Sequence, residues 1–276
     1  MMYRRTTVLV GAFVAVAISV ALGVDAASPA SLSAEQIIEK NVAARGGLQA
    51  WRGVQTLSMS GKLEAGGNES PTYPVQGVNT GGVQLPKRPT EQMQLPFRLE
   101  SKRSRKLRLE IDFRGQTAVQ TYDGTHGWKL RPFLNRHEVE PFTADEMKAA
   151  ALQSDLDGPL VDYAAKGTRA ELEGTEKVEG KDNYRLKLTF KDGQSQHVWV
   201  DAKTYLESKI EGTPRRLDGK YHPVEIYYRE YKTVSGIVVP YVTETKVQGV
   251  KQTEKIEVEQ VAVNPRVEDS RFAKLQ

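Results

Sequence analysis

The stretch Lys106–Phe113, which reads KLRLEIDF, carries the pattern that decides the fold. Leucine, isoleucine or phenylalanine stands at every second position, and a charged residue stands between each pair. Side chains of a β-strand point alternately to opposite faces, so this alternation places all the apolar side chains on one face. A strand with one apolar and one polar face is typical of an antiparallel sheet that packs one side against a core.

The same alternation recurs along the chain. It predicts strands at about 56–63 and 92–100, and the Asp123-Gly124 turn separates a strand that ends at Tyr122 from one that begins at Trp128. Further strands are predicted at about 169–177, 182–190, 195–201, 205–211, 223–232, 236–248 and 252–263. We therefore predict a mainly β (α+β) fold with one antiparallel sheet of about ten or eleven strands. Strand twist makes so long a sheet curl, which predicts a strongly curved half-barrel.

Short helices interrupt the strands. Ser33 to Gln36 and Thr143 to Glu146 are capping boxes, and each precedes apolar residues at helical spacing. A helical turn is predicted at 48–54, and another short helix is predicted from Pro159 to Lys166 because proline opens it and glycine closes it. If the sheet curls with its apolar face inward, these helices can cover the open side as a lid.

The N-terminus predicts export. Arg4 and Arg5 precede an uncharged apolar run at about 8–24, and small residues follow it. This order is typical of a secretory signal peptide, residues 1–26, cleaved after Ala26, with a cut after Ala30 as the alternative. An uncleaved membrane anchor is the alternative, because the run nearly reaches the length of a membrane span. Either way the remainder, 27–276, is predicted to be a single periplasmic domain.

Composition excludes several function classes. The 39 Lys and Arg residues against 35 Asp and Glu residues give a mixed surface that does not indicate nucleic-acid binding. Cysteine is absent, which excludes disulfides, thiol nucleophiles and thiolate metal sites. No pair of the four histidines has metal-site spacing, and no serine-hydrolase elbow, phosphate loop or dinucleotide fingerprint is present. We predict no catalytic residue, no metal and no cofactor, although distant carboxylates could still meet in the fold.

Residues 64–90 are rich in glycine, proline, asparagine, serine and threonine. Such a composition predicts a long mobile loop.

Several stretches resemble the LolA-like family of periplasmic lipoprotein carriers. They are Trp199 to Tyr205 (WVDAKTY), the turn from Tyr122 to Trp128, and Tyr231 to Pro240, and the Gly46-Gly47-Leu48 to Trp51-Arg52 segment is similar to the helical entry of an uncharacterised branch of the group. The resemblance spans nearly the whole mature chain. It implies an open half-barrel with a helical lid that encloses a cavity for acyl chains. Relatives carry lipoproteins, bind other lipids or act as envelope sensors, so the fold leaves the cargo open.

A lipid carrier needs apolar side chains that line a concavity. The predicted lining is Trp51, Met59, Leu109, Ile111, Phe113, Trp128, Leu186, Leu188, Val198, Val200, Ile226 and Tyr228. The alternative is that each of these residues is an ordinary core residue.

A basic cluster surrounds the turn after the second predicted strand. Its members Arg103, Arg105 and Lys106 are predicted to contact a membrane or a partner protein. The alternative is a solvated hairpin tip whose charges prevent aggregation.

These observations predict a periplasmic carrier or binding protein for a lipid, a lipoprotein or another hydrophobic ligand, and not an enzyme. Its predicted partners are acyl chains and proteins of the inner or outer membrane. The first alternative is a non-enzymatic sensor or interaction module of the cell envelope on the same fold. The second alternative is a hydrolase whose site is assembled from distant residues.

Overall fold

A computed structural model describes residues 32–66, 91–132, 136–217 and 219–275. The predicted signal peptide, 1–26, lies outside the described residues, and so does most of the predicted loop, 67–90. The start of that loop was predicted too early, because residues 64–66 belong to the first strand. No helix of the described ranges is long and apolar enough to cross a membrane.

Within the described residues, the domain has three α-helices and thirteen strands. The helices are α1 (Ala34–Ala44), α2 (Leu48–Gly53) and α3 (Ala144–Gln153), and a 3-10 helix (Asp269–Phe272) lies near the C-terminus. The strands are β1 (Thr56–Gly66), β2 (Gln92–Lys102), β3 (Lys106–Phe113), β4 (Gln116–Tyr122), β5 (Gly127–Arg131), β6 (Arg136–Pro141), β7 (Arg169–Val178), β8 (Lys181–Thr189), β9 (Ser195–Asp201), β10 (Glu207–Leu217), β11 (Lys220–Val234), β12 (Ile237–Val247) and β13 (Glu254–Val263).

All thirteen strands belong to one open antiparallel sheet, with the order β6-β5-β4-β3-β2-β1-β13-β12-β11-β10-β9-β8-β7. Two meanders, β1–β6 and β7–β13, are therefore joined by the pairing of β1 with β13. The antiparallel mainly β architecture is confirmed, but the predicted count of ten or eleven strands was too low. Strand β6 escaped prediction because its sequence, RHEVEP, is a mostly exposed edge strand without apolar alternation.

Local capping signals set the helix starts. Both predicted capping boxes are confirmed, with Ser33 and Gln36 at α1 and Thr143 and Glu146 at α3. The helix predicted from Pro159 to Lys166 is wrong, because this part of the chain forms successive turns. Asp162 has φ 53°, and a left-handed residue interrupts a right-handed helix.

The helices cover one face of the sheet, called the inner face below. On one half of this face, Ile37 and Ile38 of α1 pack with Leu160 and with apolar residues of β8, β9 and β10. Next to them, Trp51 of α2 and Val161 pack against β1 and β12. On the other half, α3 packs through Ala150 against Leu107 and Tyr122. The connector between α3 and β7, residues 154–168, thus crosses the inner face.

Contacts of α3 require the sheet to curve. Lys129 of β5 donates to Glu146 at 2.6 Å, and Tyr221 of β11 donates to the adjacent Asp145 at 2.9 Å. Strands β5 and β11 are seven places apart in the strand order, which is about 34 Å in a flat sheet. Both strands reach neighbouring residues of one short helix, so the sheet cannot be flat.

The C-terminal segment, residues 264–275, crosses the opposite, outer face. The Arg271 guanidinium donates to Glu100 at 2.7 and 2.9 Å, and Phe272 is fully buried. Asp269 pairs with Lys102 at 2.8 Å and with Lys106 at 3.0 Å. This segment therefore fastens β2 and β3 on the side away from the helices.

Candidate ligand-binding face

A strip of apolar side chains that lie outside the buried core crosses the middle of the inner face. Strand register places Leu63 opposite Leu95 and Ile256, and places Leu99 opposite Met59 and Leu109. Directly opposite residues share a face. The half-buried members of this apolar strip are Met59, Leu63, Leu95, Leu99, Leu109, Ile111, Phe113 and Ile256. The strip lies between the cluster under α2, which Met59 touches, and the cluster under α3, which Leu99 touches.

Four predicted lining residues are core instead. Leu186, Leu188, Val198 and Val200 have no exposed surface and pack under α1. They share the inner face with the apolar strip, but the chain's own side chains already fill the space above them. A ligand cannot reach them without displacement of α1.

The two predicted tryptophans lie elsewhere. Trp51 is only 1% exposed, and its indole N–H donates to the Arg45 carbonyl at 2.9 Å, so it belongs to the core. Trp128 lies opposite Thr121, and thus on the outer face, because Tyr122 pairs with Gly127 across the turn. Its place in the predicted lining was wrong. The remaining predicted residues, Ile226 and Tyr228, are half-buried on the inner face beside β12.

A buried polar network fixes α1 and α2 to the sheet. Arg45 follows α1 and donates to Glu207 at 3.2 Å and to the Asp157 carbonyl at 2.9 Å. The Arg45 and Glu207 side chains are 9% and 8% exposed. Tyr231 donates to the Glu207 carbonyl at 2.9 Å, and burial together with the Glu207 charge raises the pKa of Tyr231 well above its ordinary value. Loss of one partner of such a network leaves a buried charged or polar group unpaired, which is strongly destabilising.

The connector is fixed by a second set of charges around Asp157. Arg103 donates to Asp157 at 2.8 Å and Lys166 donates to it at 2.7 Å. Burial alone would raise the pKa of Asp157, but the two cations outweigh burial and hold it below its ordinary value. Arg103 also donates to the Trp51 and Val54 carbonyls, both at 2.7 Å. The cover formed by α1, α2 and the connector is therefore tied to the β2–β3 turn.

Helix α3 is held less firmly than this cover. Among the residues that the structure describes, Ala150 is its only buried apolar side chain, and Leu152 is 42% exposed. Its polar attachments are Glu146 to Lys129 and Asp145 to Tyr221. Burial opposes ionisation of Glu146, but Lys129 and the Thr143 N–H hold the pKa of this carboxyl below its ordinary value. Two ionisable contacts thus supply much of what holds α3 on the inner face.

The three predicted basic residues do not form one exposed patch. Arg103 is engaged with Asp157, and Lys106 is paired with Asp269 at 3.0 Å. Only Arg105 is exposed at the turn. The prediction of a membrane or partner contact therefore stays with Arg105 alone.

No family model matches the sequence, and no curated protein matches it. Solved structures do match the fold. A LolA superfamily protein from Nitrosomonas europaea has a TM-score of 0.53 and 14% identity, and the match covers 88% of this chain and 99% of that one. The fold is LolA-like.

Two further structures agree. A putative outer membrane lipoprotein-sorting protein domain from Vibrio parahaemolyticus matches the LolA-like fold at a TM-score of 0.52 and 14% identity, over 87% of this chain and 96% of that one. A DUF1329 family protein from Desulfovibrio piger matches at 0.52 and 15% identity, over 87% and 97%. The predicted resemblance is confirmed at the level of the fold.

Sequence reasoning missed the residues that hold the cover of α1, α2 and the connector in place. Arg45, Glu207 and Asp157 carry no local signal, because Arg45 and Glu207 lie 162 positions apart. The one available hint was that Arg45 directly precedes the Gly46-Gly47 pair. No group of three or more histidine or acidic side chains in the described ranges has the geometry of a metal site.

Proposed function

We propose that this protein is a carrier or binding protein for a lipid, a lipoprotein acyl chain or another hydrophobic ligand. The observation that supports it is the apolar strip, whose eight side chains face the helices and yet remain half-buried. Each methylene group that moves from water onto such a surface contributes about 0.8 kcal/mol. An acyl chain bound along the strip would bury the apolar surface that these half-buried side chains still expose.

The curved sheet suits this function as an open half-barrel. The cover of α1, α2 and the connector closes one half of the inner face permanently, and α3 closes the other half through few contacts. We propose that α3 is the part of the lid that moves, because its attachments are the weaker ones. Binding, and not catalysis, is the proposed role of the inner face.

We also propose that the protein works outside the cytoplasm after removal of residues 1–26. A periplasmic carrier would meet acyl chains at the inner or outer membrane, and Arg105 is the exposed basic residue that would meet a membrane or partner protein. Envelope proteins are therefore the proposed partners.

Native mass spectrometry tests the binding proposal. The mature protein is purified from the cell envelope fraction, and any bound species is extracted and identified. We expect a stoichiometric acyl-containing ligand, and we expect Ile111→Glu to abolish it because the new carboxylate lies in the strip. Ala262→Glu is the matched control, since Ala262 is exposed on the outer face opposite Ser58.

A ligand-free mass for the wild type, with no uptake from offered lipid, would contradict the carrier proposal. A stable protein partner in the same preparation would then favour the sensor or interaction module.

A further inference from the structure

The inner face changes from apolar to polar beside the apolar strip. Thr243 lies opposite Ile256 of the strip on one side and opposite Tyr228 on the other. Thr245, two residues along β12, lies opposite Glu254 and Ile226. Because opposite residues share a face, these polar groups border the strip directly. The polar patch is defined as Tyr228, Thr243, Thr245 and Glu254.

The polar patch is half-buried, and most of its hydrogen-bonding capacity is unused. Within the part of the chain that the structure describes, the hydroxyls of Tyr228, Thr243 and Thr245 make no side-chain hydrogen bond. Oε1 of Glu254 is buried and has no partner in the same ranges. An unpaired buried carboxylate oxygen is costly, and the three hydroxyls beside it are half-buried and free to donate or accept, so the patch can be completed by a polar group of a ligand.

The charge of the patch is balanced. Oε2 of Glu254 accepts a hydrogen bond from Arg215 at 2.6 Å, and the two side chains are 33% and 15% exposed. Because this ion pair is neutral overall, it offers no net charge that would attract a phosphate, a carboxylate or an ammonium group. The free Oε1 can only accept a hydrogen bond, so a ligand group that pairs with it must donate one.

We propose that the ligand is an amphiphile with an uncharged head that bears hydroxyl or amide groups. The head lies on the polar patch, and the acyl chain runs from Ile256 along the apolar strip. This inference rests on the proposed carrier function and adds to it the class of head group that the inner face selects.

Displacement of an apolar fluorescent probe by three ligands with the same acyl chain tests the inference. The ligands are monooleoylglycerol, methyl oleate and oleate, which differ in the hydroxyls and the charge of the head. We expect monooleoylglycerol to bind about tenfold more tightly than either of the others, as two hydrogen bonds would supply.

The double variant Thr243→Val, Thr245→Val removes two hydroxyls with little change of shape. We expect it to bring the affinities for monooleoylglycerol and methyl oleate together while methyl oleate still binds, which also shows that the variant is folded. Thr233→Val is the matched control, because Thr233 is exposed on β11, and it should keep the wild-type preference.

The outcomes separate the two proposals. If none of the three ligands displaces the probe, the carrier function fails and this inference fails with it. If methyl oleate or oleate binds as tightly as monooleoylglycerol, or if the double variant keeps the preference, the carrier function stands and the uncharged donor head is overturned.

Discussion

At the scale of single residues, Arg45 has the largest structural consequence. Its guanidinium is the cation beside buried Glu207, and it also packs over the Trp51 ring with its central carbon 4.3 Å from the ring centroid. A buried carboxylate without its cation is strongly unfavourable, whereas an exposed ion pair contributes little. Residues of similar chemistry therefore differ widely in their effect on stability.

We expect Arg45→Ala to lower the free energy of unfolding by about 3–5 kcal/mol, because it leaves Glu207 buried and unpaired. Urea unfolding followed by tryptophan fluorescence measures the change. Arg52→Ala is the control, since Arg52 pairs with Asp162 while 50% exposed, and it should cost about 0–1 kcal/mol. Equal losses for the two variants would contradict the assigned role of Arg45.

At the scale of elements, α3 is expected to respond to pH through Glu146. The pKa of Glu146 is lowered in the folded state, so its contribution is present above the unfolded pKa of about 4.3 and is lost as pH falls through the lower folded value. Hydrogen-exchange protection of the α3 amides should stay constant from about pH 7 to 5 and decrease below about pH 4.

Glu146→Gln removes the charge that Lys129 holds. We expect its α3 amides to be less protected at neutral pH and to show no further step in acid. Asp145→Asn is the comparison on the same helix, because Asp145 accepts a hydrogen bond from the exposed Tyr221 and from no other side chain of the described residues. A pH step that survives in Glu146→Gln would assign the effect to another group.

The C-terminal segment is the second element with a testable role. Phe272 is fully buried on the outer face, and loss of such a side chain costs about 3–5 kcal/mol. We expect Phe272→Ala to lower the thermal midpoint strongly, as calorimetry would measure. Arg266→Ala, in the same segment with a side chain 91% exposed, should change stability by less than about 0.5 kcal/mol. A small effect of Phe272→Ala would show that the segment only rests on the sheet.

At the scale of the whole molecule, the predicted signal peptide, residues 1–26, is the feature to test. We expect the mature protein to begin at Ala27, since the apolar run ends in small residues suited to cleavage. Fractionation followed by intact mass spectrometry measures this. A full-length mass in the membrane fraction would favour the uncleaved anchor instead.

Much of the LolA-like fold was predictable because its signals are local. Alternation in KLRLEIDF predicted β3, and the Asp123-Gly124 pair predicted the following turn. Capping boxes placed the starts of α1 and α3. Strand β6 and the turns at 159–166 were missed or mistaken, because an exposed edge strand lacks apolar alternation and a single left-handed residue is invisible in the pattern.

The candidate binding face was only partly predictable. Tertiary structure sets which face of the sheet a side chain lies on and whether other side chains of the protein cover it. Met59, Leu109, Ile111 and Phe113 were assigned correctly to the inner face by parity within their strands. Trp128 was not, because the pairing of Tyr122 with Gly127 sets the parity of β5, and a one-residue change of register exchanges the two faces.

The sequence by itself thus determined most of the elements, the polar and apolar sides of most strands and the LolA-like resemblance, since these depend on neighbours a few residues apart. Only the tertiary structure decided that Val198 is fully buried under α1 while Ile111 stays half-buried. It also decided that Arg45 forms an ion pair with Glu207. The pairing of β1 with β13 and the path of the connector across the inner face bring these distant residues together. Whether an apolar side chain is core or binding surface depends on what packs above it, and that neighbour lies far away along the chain.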